Sequence, residues 1–282
     1  MASARSDACL LVSAEGSLAG IVTDNDMTRR VVAKGIDPEA TVDAVMTSNP
    51  KCVHMDDSAM EALGVMVERH FRHLPVTGKD GTVTGLLDIA KCLYDAISRM
   101  ERVAKKSTDD GDGSAAQMAA MAQAMATGGR RGMSAAQAAA MKAMMDKMFG
   151  GDGIQTLDDV LASKGRAIFV RPGDSVRSAA EAMADCRKAV LVVERGVLVG
   201  IFTPKDMLNR VLAKNLSPDE TMVSDVMTPN PDSVLPELTV LDALHQMHEC
   251  RYLHLPVVTD GGRVVGLVDV MEIINATVGK EG

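Results

Sequence analysis

The sequence predicts a mixed α/β (α+β) protein built from four copies of one small unit of strands and helices. Two observations carry this prediction. The first is a short pattern that recurs four times in the 282 residues: glycine, three residues, glycine, two apolar residues, then threonine or aspartate. The second is its setting, because each copy follows a short apolar run and precedes a helical pattern. That order is expected of a β-hairpin followed by a helix.

The spacing of the copies indicates two duplicated halves. The second glycines of the pattern are Gly20, Gly85, Gly200 and Gly266. The two glycines of the first half are 65 residues apart, those of the second half are 66 apart, and 115 residues separate Gly85 from Gly200. We therefore expect one module over residues 1–101, a linker over 102–153 and a second module over 154–282.

Each complete unit is predicted to run in the order strand, helix, strand, strand, helix. The upstream strand and helix are expected at 51–54 and 60–69 in the second unit, at 167–170 and 175–185 in the third, and at 233–235 and 240–249 in the fourth. In the first unit, the counterpart of residues 155–187 would fall mostly before Met1. We therefore expect the first unit to be truncated at its N-terminus, with Met1 not certain to be the true start.

The linker differs from the modules in composition. Its two alanine- and methionine-rich segments open at Ser114 and Ser134, each with the sequence Ser-Ala-Ala-Gln, which is a capping-box pattern for a short helix. The favoured interpretation is a linker whose helices fold back on the modules, where methionine fills irregular gaps. A helix pair that docks a partner is the first alternative, and a copper site made of methionines is the second.

Composition argues against several functions. The net charge is −8 and the chain has four Phe, two Tyr and no Trp, which disfavours nucleic-acid binding. No signal peptide and no apolar run of the ~20 residues that span a bilayer is present. The sequence predicts a cytoplasmic protein without membrane contact, and a location inside an organelle is the alternative. Five scattered cysteines, with no C-x-x-C, indicate neither a disulfide framework nor a zinc site.

The most informative motif is Gly-apolar-apolar-Thr-x-x-Asp, which places Gly200, Thr203 and Asp206 where a strand gives way to a helix. Thr23 and Asp26 repeat it in the first unit. Free backbone amides at a helix start favour phosphate, the hydroxyl can donate to a phosphate oxygen, and the carboxylate can accept both ribose hydroxyls. Glycine would let a ligand approach the strand. The alternative is a capping arrangement without a ligand. Duplication of the motif favours the ligand.

Together, this motif, the two His-Leu-Pro-Val strands and the two Val-Met-Thr-x-Asn-Pro segments at 45–50 and 226–231 resemble the cystathionine β-synthase (CBS) domain family. The arrangement resembles plant-type proteins with four CBS repeats, here without a ubiquitin-like domain at the C-terminus. The resemblance implies two CBS-pair (Bateman) modules, each with a pseudo-twofold axis, and AMP, ADP or ATP in the clefts between repeats.

On that resemblance, the Thr and Asp residues of the motif contact phosphate and ribose. His73 and His254 match a position that is often basic and near phosphate, with Arg72 beside His73; a structural histidine at a strand start is equally consistent with the sequence. In the second repeat Asp88 replaces the threonine and Lys91 replaces the aspartate. In the fourth repeat Asp269, which is also a candidate ligand contact, replaces the threonine, although Glu272 keeps a carboxylate. We expect those two sites to bind ribose weakly or not at all. The third repeat, with its cleft completed by the fourth, is expected to be the working site.

The sequence thus predicts a non-catalytic regulatory protein that senses an adenine nucleotide by changing the geometry between its repeats. The expected partners are the nucleotide, a second copy of the chain and an unidentified regulated protein. A ligand-free scaffold that only dimerises is the alternative, and a regulatory piece of a larger enzyme or channel is a weaker one. No phosphate loop, nucleophile elbow or zinc-protease motif is present, and neither catalytic residues nor a metal site are predicted.

Overall fold

The computed structural model describes residues 1–37, 39–92, 155–162, 167–186 and 188–278. The predicted linker helices at Ser114 and Ser134 lie outside these described residues, so the boundaries given to the linker stay a prediction. Within the described residues the protein is a mixed α/β structure of four small sheets and short helices, which confirms the predicted fold class.

The second half of the chain shows the repeat most fully. Its third repeat contains β7 (Phe169–Val170), α4 (Val176–Cys186), β8 (Val190–Glu194), β9 (Val197–Phe202) and α5 (Pro204–Asp206), and is preceded by α3 (Leu157–Ala162). Its fourth contains α7 (Val240–Cys250), β11 (His254–Val258), β12 (Val264–Asp269) and α8 (Val270–Val278). Between them lie α6 (Val223–Val226) and β10 (Thr228–Pro229). The strand predicted at 233–235 is reduced to a single parallel bridge between Val234 and Val257.

The first half follows the same plan. Its first repeat contains β1 (Ala8–Val12), β2 (Leu18–Thr23) and α1 (Asp24–Asp26), followed by β3 (Thr47–Ser48). Its second repeat contains β4 (Val53–His54), α2 (Ala59–Glu68), β5 (His73–Thr77), β6 (Val83–Asp88) and the start of a helix over 89–92. Neither an upstream strand nor an upstream helix precedes β1 among the described residues.

The first glycine of the recurrent pattern makes each hairpin turn. Gly16, Gly81, Gly196 and Gly262 all have φ between 73° and 85°, a backbone conformation that costs other residues energy. Each hairpin also carries a bulge at the same register, for example between Val76 and Thr77. The four hairpins are therefore structural copies as well as sequence copies.

Two structural features were missed by the sequence prediction. The Val-Met-Thr-x-Asn-Pro segments each supply a short strand, β3 on β2 and β10 on β9, rather than a plain connection. In addition, the helices that begin at α1 and α5 continue as π-helices over Met27–Val32 and Met207–Val211. Both features follow the same motif in repeats one and three.

Packing joins the repeats in two ways. Within the second module the sheets face each other, with Leu191 and Ile201 of the third repeat packed with Leu267 of the fourth. Between modules the helices pack, so that the second repeat shares one core with the fourth and the first repeat contributes Val32 to the core of the third. Methionines fill both of these shared cores; the fully buried ones are Met66, Met183, Met207 and Met247. All four repeats consequently meet at the centre of the molecule.

Candidate functional site

The strand-to-helix junction of the third repeat is a closed capping box. Thr203 caps α5, its Oγ1 accepting from the Asp206 amide at 3.2 Å and donating to Asp206 Oδ2 at 2.8 Å. The Thr203 amide donates to the same carboxylate oxygen at 3.0 Å. The capping geometry considered as an alternative is therefore present. Because the hydroxyl proton goes to Asp206, Thr203 can only accept a hydrogen bond from a ligand in this state.

Asp206 is buried, with 8% of its surface exposed. Burial raises the pKa of Asp206 above the ordinary aspartate value, although the Thr203 hydrogen bond and the Arg210 charge act in the opposite direction. Its second oxygen, Oδ1, lies 3.3 Å from Arg210 Nε, and Arg210 Nη1 donates to the Val226 carbonyl at 2.9 Å. The carboxylate thus has protein partners on both oxygens and keeps unused lone pairs for further donors.

The first repeat reproduces this junction. Thr23 Oγ1 donates to Asp26 Oδ2 at 2.8 Å and accepts from the Asp26 amide at 3.3 Å. Arg30 Nε lies 3.5 Å from Asp26 Oδ1, and Arg30 Nη1 donates to the Val45 carbonyl at 2.6 Å. Sequence reasoning missed Arg30 and Arg210, although an arginine four residues after the motif aspartate in both copies was a usable signal.

The glycine of the motif accommodates a side chain of the protein itself. A Cβ atom at Gly200 would lie 2.3 Å from Met227 Sδ, and one at Gly20 would lie 2.4 Å from Met46 Sδ. Both methionines belong to the Val-Met-Thr-x-Asn-Pro segments. The close approach that we expected a ligand to make at Gly200 is made by Met227, because the segment that carries it pairs as β10 with β9.

In the second repeat, the predicted residues Arg72 and His73 both lie beside Asp88. Arg72 donates to both oxygens of that carboxylate, from Nε at 3.2 Å and from Nη2 at 2.8 Å. Burial alone would raise the pKa of Asp88, but the Arg72 hydrogen bonds and charge lower it. Arg72 Nη2 also donates to Asp7 Oδ2 of the first repeat at 3.0 Å. Arg72 is therefore a neutralised cation that ties the first two repeats together.

Both predicted histidines are neutral at pH 7. Burial, and next the Arg72 charge, lower the pKa of His73 to about 4. Burial, and next the same arginine, also lower the pKa of His254 to about 4. His73 Nε2 lies 3.8 Å from Asp88 Oδ2, but with a neutral imidazole this contact is not an ion pair. Each histidine can still offer one N–H to an acceptor.

The fourth repeat has its own capping box at the corresponding junction. Asp269 Oδ1 accepts from the Glu272 amide at 2.8 Å, and the Asp269 amide donates to Glu272 Oε2 at 3.1 Å. Lys188, from the third repeat, donates to Glu272 Oε1. Asp269 therefore takes the capping role that threonine has in the first and third repeats. Glu272 binds Lys188, which belongs to the other repeat of the module.

The junctions meet where the four repeats converge. The starts of α1 and α5 are in contact with each other, and Lys205 Nζ lies 3.2 Å from Asp7 Oδ1, joining the two modules. Asp24 lies in the same region, where burial and the Asp7 charge raise its pKa to about 6. The resulting central charged cluster is defined as Asp7, Asp24, Arg72, Asp88, Lys188, Lys205 and Glu272. Its cations are all paired with carboxylates.

Of this central charged cluster, sequence reasoning assigned a binding role to Arg72 alone and noted Asp88 and Glu272 only as departures from the motif. A signal for two more members lay in the hairpin register. Ala8 pairs with Thr23 just as His73 pairs with Asp88, so Asp7 occupies the place of Arg72. Lys188 takes the same place in the third repeat, one residue before Ala189 and two before β8.

A surface depression of about 380 Å³ lies elsewhere in the third repeat. It is lined by the turn over residues 171–174 and by Val193 and Glu194 at the end of β8. None of the residues predicted to bind a ligand lines it. The depression is therefore separate from the junctions that carry the predicted ligand-binding residues.

Among the described residues, no helix combines the length and apolar character needed to cross a bilayer. In the same part of the chain, no group of three or more histidine, cysteine, aspartate or glutamate side chains is arranged to hold a metal ion.

Comparison with known proteins gives a family. The CBS domain profile matches residues 42–101, 158–213 and 223–279, which is more than half of the chain. The CBS domain-containing protein CBSCBSPB3 of Arabidopsis thaliana is 43% identical over 280 residues, covering 99% of this chain and 48% of its own length. The meiotically up-regulated gene 70 protein of Schizosaccharomyces pombe is 32% identical over 98% of this chain and 40% of its own. The chain thus spans about half the length, or less, of these curated relatives.

Among solved structures, protein MJ1225 from Methanocaldococcus jannaschii superposes with a TM-score of 0.65 at 14% identity, covering 97% of this chain and 88% of that one. At that identity the likeness shows the fold alone. Sequence profile, relatives and fold agree, and the chain belongs to the CBS domain family.

Proposed function

We propose that this chain is a non-catalytic regulatory protein that binds an adenine nucleotide where its repeats converge, with the third-repeat junction at Asp206 as the principal site. The observation that carries the proposal is the placement of two equivalent buried carboxylates, Asp206 and Asp26, on helix starts that touch each other beside Lys205. The resemblance that implied adenine nucleotides is to the family in which the chain is now placed.

The contacts suggest how a nucleotide would be held. Ribose hydroxyls would donate to Asp206 Oδ1, which at present has Arg210 as its partner. A phosphate would approach Lys188, Lys205 or Arg72 and compete with the carboxylates that now neutralise them. His254, being neutral, would contribute a single N–H. The Thr203 proton is committed to Asp206, so in this proposal threonine positions the carboxylate and does not bind phosphate.

Two local features support a ligand at these junctions. The side-chain oxygen of Asn25, inside the first-repeat motif, is buried without a hydrogen-bond partner among the described residues. A buried unpaired acceptor costs free energy that a ligand donor would recover. A π-helix follows the motif in both odd-numbered repeats, and such segments are frequent at functional sites.

Regulation would follow from the ion pairs between repeats. Asp7 contacts Arg72 of the second repeat and Lys205 of the third. An anion that draws either cation away from Asp7 would loosen one of these links and change how the repeats sit together. The size of the shift is limited by the difference in ligand affinity between the two arrangements.

The test is isothermal titration and thermal unfolding of the full chain with AMP, ADP, ATP and S-adenosylmethionine. Ligand at 100 times its dissociation constant adds ~2.7 kcal/mol to the free energy of unfolding. For a chain of this size that corresponds to a rise of several degrees in the melting temperature, at about 2–4 °C per kcal/mol. Unchanged melting at millimolar concentrations of all four ligands would refute the proposal.

A matched pair of variants separates binding from capping. Asp206→Ala removes the carboxylate at the junction. Asp242→Ala removes a similar capping contact at the start of α7, where Thr239 Oγ1 donates to Asp242 Oδ2 at 2.6 Å. Both changes weaken a helix cap, at about 1 kcal/mol, and Asp206→Ala in addition removes the carboxylate partner of Arg210. Only Asp206→Ala should abolish the nucleotide heat signal; equal loss of binding in both variants would contradict a ligand role for Asp206.

A ligand-free scaffold is the second candidate, and specific observations favour it. The Thr203 hydroxyl and the Asp206 carboxylate already satisfy each other, and Met227 occupies the space beside Gly200. This candidate predicts self-association that is independent of nucleotide. Light scattering after size-exclusion chromatography, with and without AMP at millimolar concentration, distinguishes the two.

The remaining parts of the functional assignment are proposals of the same kind. They are the absence of catalysis, a homo-oligomeric state, a regulated partner protein and a cytoplasmic location. Each rests on the composition and the family resemblance, and each is open to direct measurement by activity screening, light scattering, co-purification and cell fractionation respectively.

A further inference from the structure

Arg210 is bonded at the same time to the proposed ligand carboxylate and to the main chain of another segment. Its Nε lies 3.3 Å from Asp206 Oδ1, and its Nη1 donates to the Val226 carbonyl at 2.9 Å. Val226 is the last residue of α6, so Arg210 binds one of the carbonyls that a helix end leaves without a partner inside the helix. Because the guanidinium is planar and rigid, the two bonds depend on one orientation of the side chain.

The connecting segment, residues 226–234, joins the third repeat to the fourth. Near its start Met227 covers Gly200 of β9. At its end the Val234 amide donates to the Pro256 carbonyl of β11 at 3.0 Å. A shift of this segment therefore changes how the strands of the third and fourth repeats lie relative to each other.

The first module has the same arrangement. Arg30 Nε lies 3.5 Å from Asp26 Oδ1, and Arg30 Nη1 donates to the carbonyls of Val45 and Met46. These two residues open the equivalent segment over 45–53, which leads into the second repeat, and Met46 covers the motif glycine of the first. The link from carboxylate through arginine to main chain is thus a property of both odd-numbered repeats and not of one junction.

The fourth repeat lacks this arginine. The residue four positions after Glu272 is Ala276, and Glu272 is bound instead by Lys188 of the third repeat. The arginine therefore accompanies the two junctions that carry both the threonine and the aspartate of the motif. Those are the junctions at which a ribose is proposed to bind.

We propose that Arg210 is a positioning residue that transmits nucleotide binding at Asp206 to the connecting segment; this inference rests on the function proposed above. Ribose hydroxyls that donate to Asp206 Oδ1 compete with Arg210 Nε for the same oxygen. Loss of that bond returns rotamer freedom to the long side chain, and this weakens its bond to the Val226 carbonyl. The connecting segment is then held less firmly, and the two repeats of the module change their relative orientation.

Amide hydrogen exchange of the full chain, read by mass spectrometry, measures the connecting segment directly. Saturating nucleotide, with AMP, ADP and ATP tested in turn, should accelerate exchange in residues 226–234 by about two- to ten-fold, the effect of weakening one hydrogen bond. In Arg210→Met the same nucleotide should leave this exchange unchanged. Lys214→Met, which removes an exposed cation from the following helical turn, is the matched control and should respond as the wild type does.

The affinity of Arg210→Met separates positioning from direct contact. Because the arginine competes with ribose for Asp206, the variant should bind nucleotide as tightly as the wild type or up to about five-fold more tightly, as expected on removal of a partly exposed ion pair. Isothermal titration measures this constant. Weakened binding would overturn the positioning role, since Arg210 would then either contact the ligand or only maintain the junction.

A second comparison needs no nucleotide. Asp206→Ala frees Arg210 and should accelerate exchange in residues 226–234, whereas in the Arg210→Met background it should add nothing. Additive effects of the two substitutions would overturn the coupling, because loss of the helix cap would then explain the change.

The outcomes distinguish this inference from the function on which it rests. A wild-type chain that binds none of the nucleotides refutes the proposed function and the role of Arg210 together. Nucleotide that binds without changing exchange in residues 226–234, or that changes it equally in Arg210→Met, overturns the role of Arg210 and leaves nucleotide binding intact.

Discussion

Met227 lies against Gly200 so closely that a single added methyl group would meet its sulfur at 2.3 Å. The two residues belong to neighbouring strands, β10 and β9, and Thr228, next to Met227, pairs with Ile201. Met46 and Gly20 make the same contact, so this packing explains why the first and third repeats carry glycine at this position.

Gly200→Ala is therefore expected to destabilise the chain by about 1–3 kcal/mol, the usual effect of overpacking a filled core. Chemical denaturation followed by circular dichroism measures the change. In a Met227→Ala background the same substitution should cost much less, because the crowding atom is gone. Gly85→Ala is the matched control and should cause no loss of stability, because no described atom lies within 4 Å of the position of its added Cβ. A full penalty in the double variant would contradict the packing explanation.

Arg72 is expected to be the most sensitive charged residue in the protein. Arg72→Met removes the cation that Asp88 binds and leaves Asp7 with Lys205 alone, and removal of one partner from a buried ion pair costs about 3–5 kcal/mol. Because 21% of the Arg72 side chain is exposed, we expect the lower end of that range. The exposed pair Lys79–Asp56 supplies the control, and Lys79→Met should change the stability by less than about 1 kcal/mol. Similar losses for both variants would refute the central role of Arg72.

The two neutral histidines predict that stability falls on mild acidification. Their pKa values are lowered from 6.5 to about 4 in the folded state. Between these values the unfolded chain binds more protons, so the free energy of unfolding rises with pH from 4 to 6.5 and is lost as pH falls through that window. His73→Gln and His254→Gln should each flatten the profile measured by denaturant titration at several pH values. A flat wild-type profile would contradict the burial of these rings.

Asp24 has the opposite effect to the histidines on the pH dependence of stability. Its pKa is raised from 3.8 to about 6, so the folded state binds more protons between these values and this group lowers the stability as pH rises through the window. Asp24→Asn should stabilise the chain at pH 7 by about 1–2 kcal/mol, after a discount for partial exposure from 1.36 kcal/mol per pKa unit. It should also steepen the pH profile between 4 and 6. Asp37→Asn, at an exposed loop, is the control and should change neither quantity.

Much of the fold followed from local pattern. The four hairpins were predictable because a two-residue alternation and a glycine at positive φ act over a few residues, as at Gly81 and Gly262. The helix starts at Thr203 and Thr23 were equally predictable, since a capping box involves only residues one to three positions apart. The same locality explains why the sequence could not decide between capping and ligand binding: both use the same threonine and aspartate.

The sequence by itself determined the repeat, its hairpin turns, its helix caps and the family, because these depend on residues adjacent in the chain. Only the tertiary structure decided that Met227 fills the space beside Gly200 and that Asp7 pairs with both Arg72 and Lys205. Those contacts join residues from 27 to 198 positions apart, counted from Gly200 to Met227 and from Asp7 to Lys205. They depend on how the four repeats pack against one another, for which a local pattern carries no information.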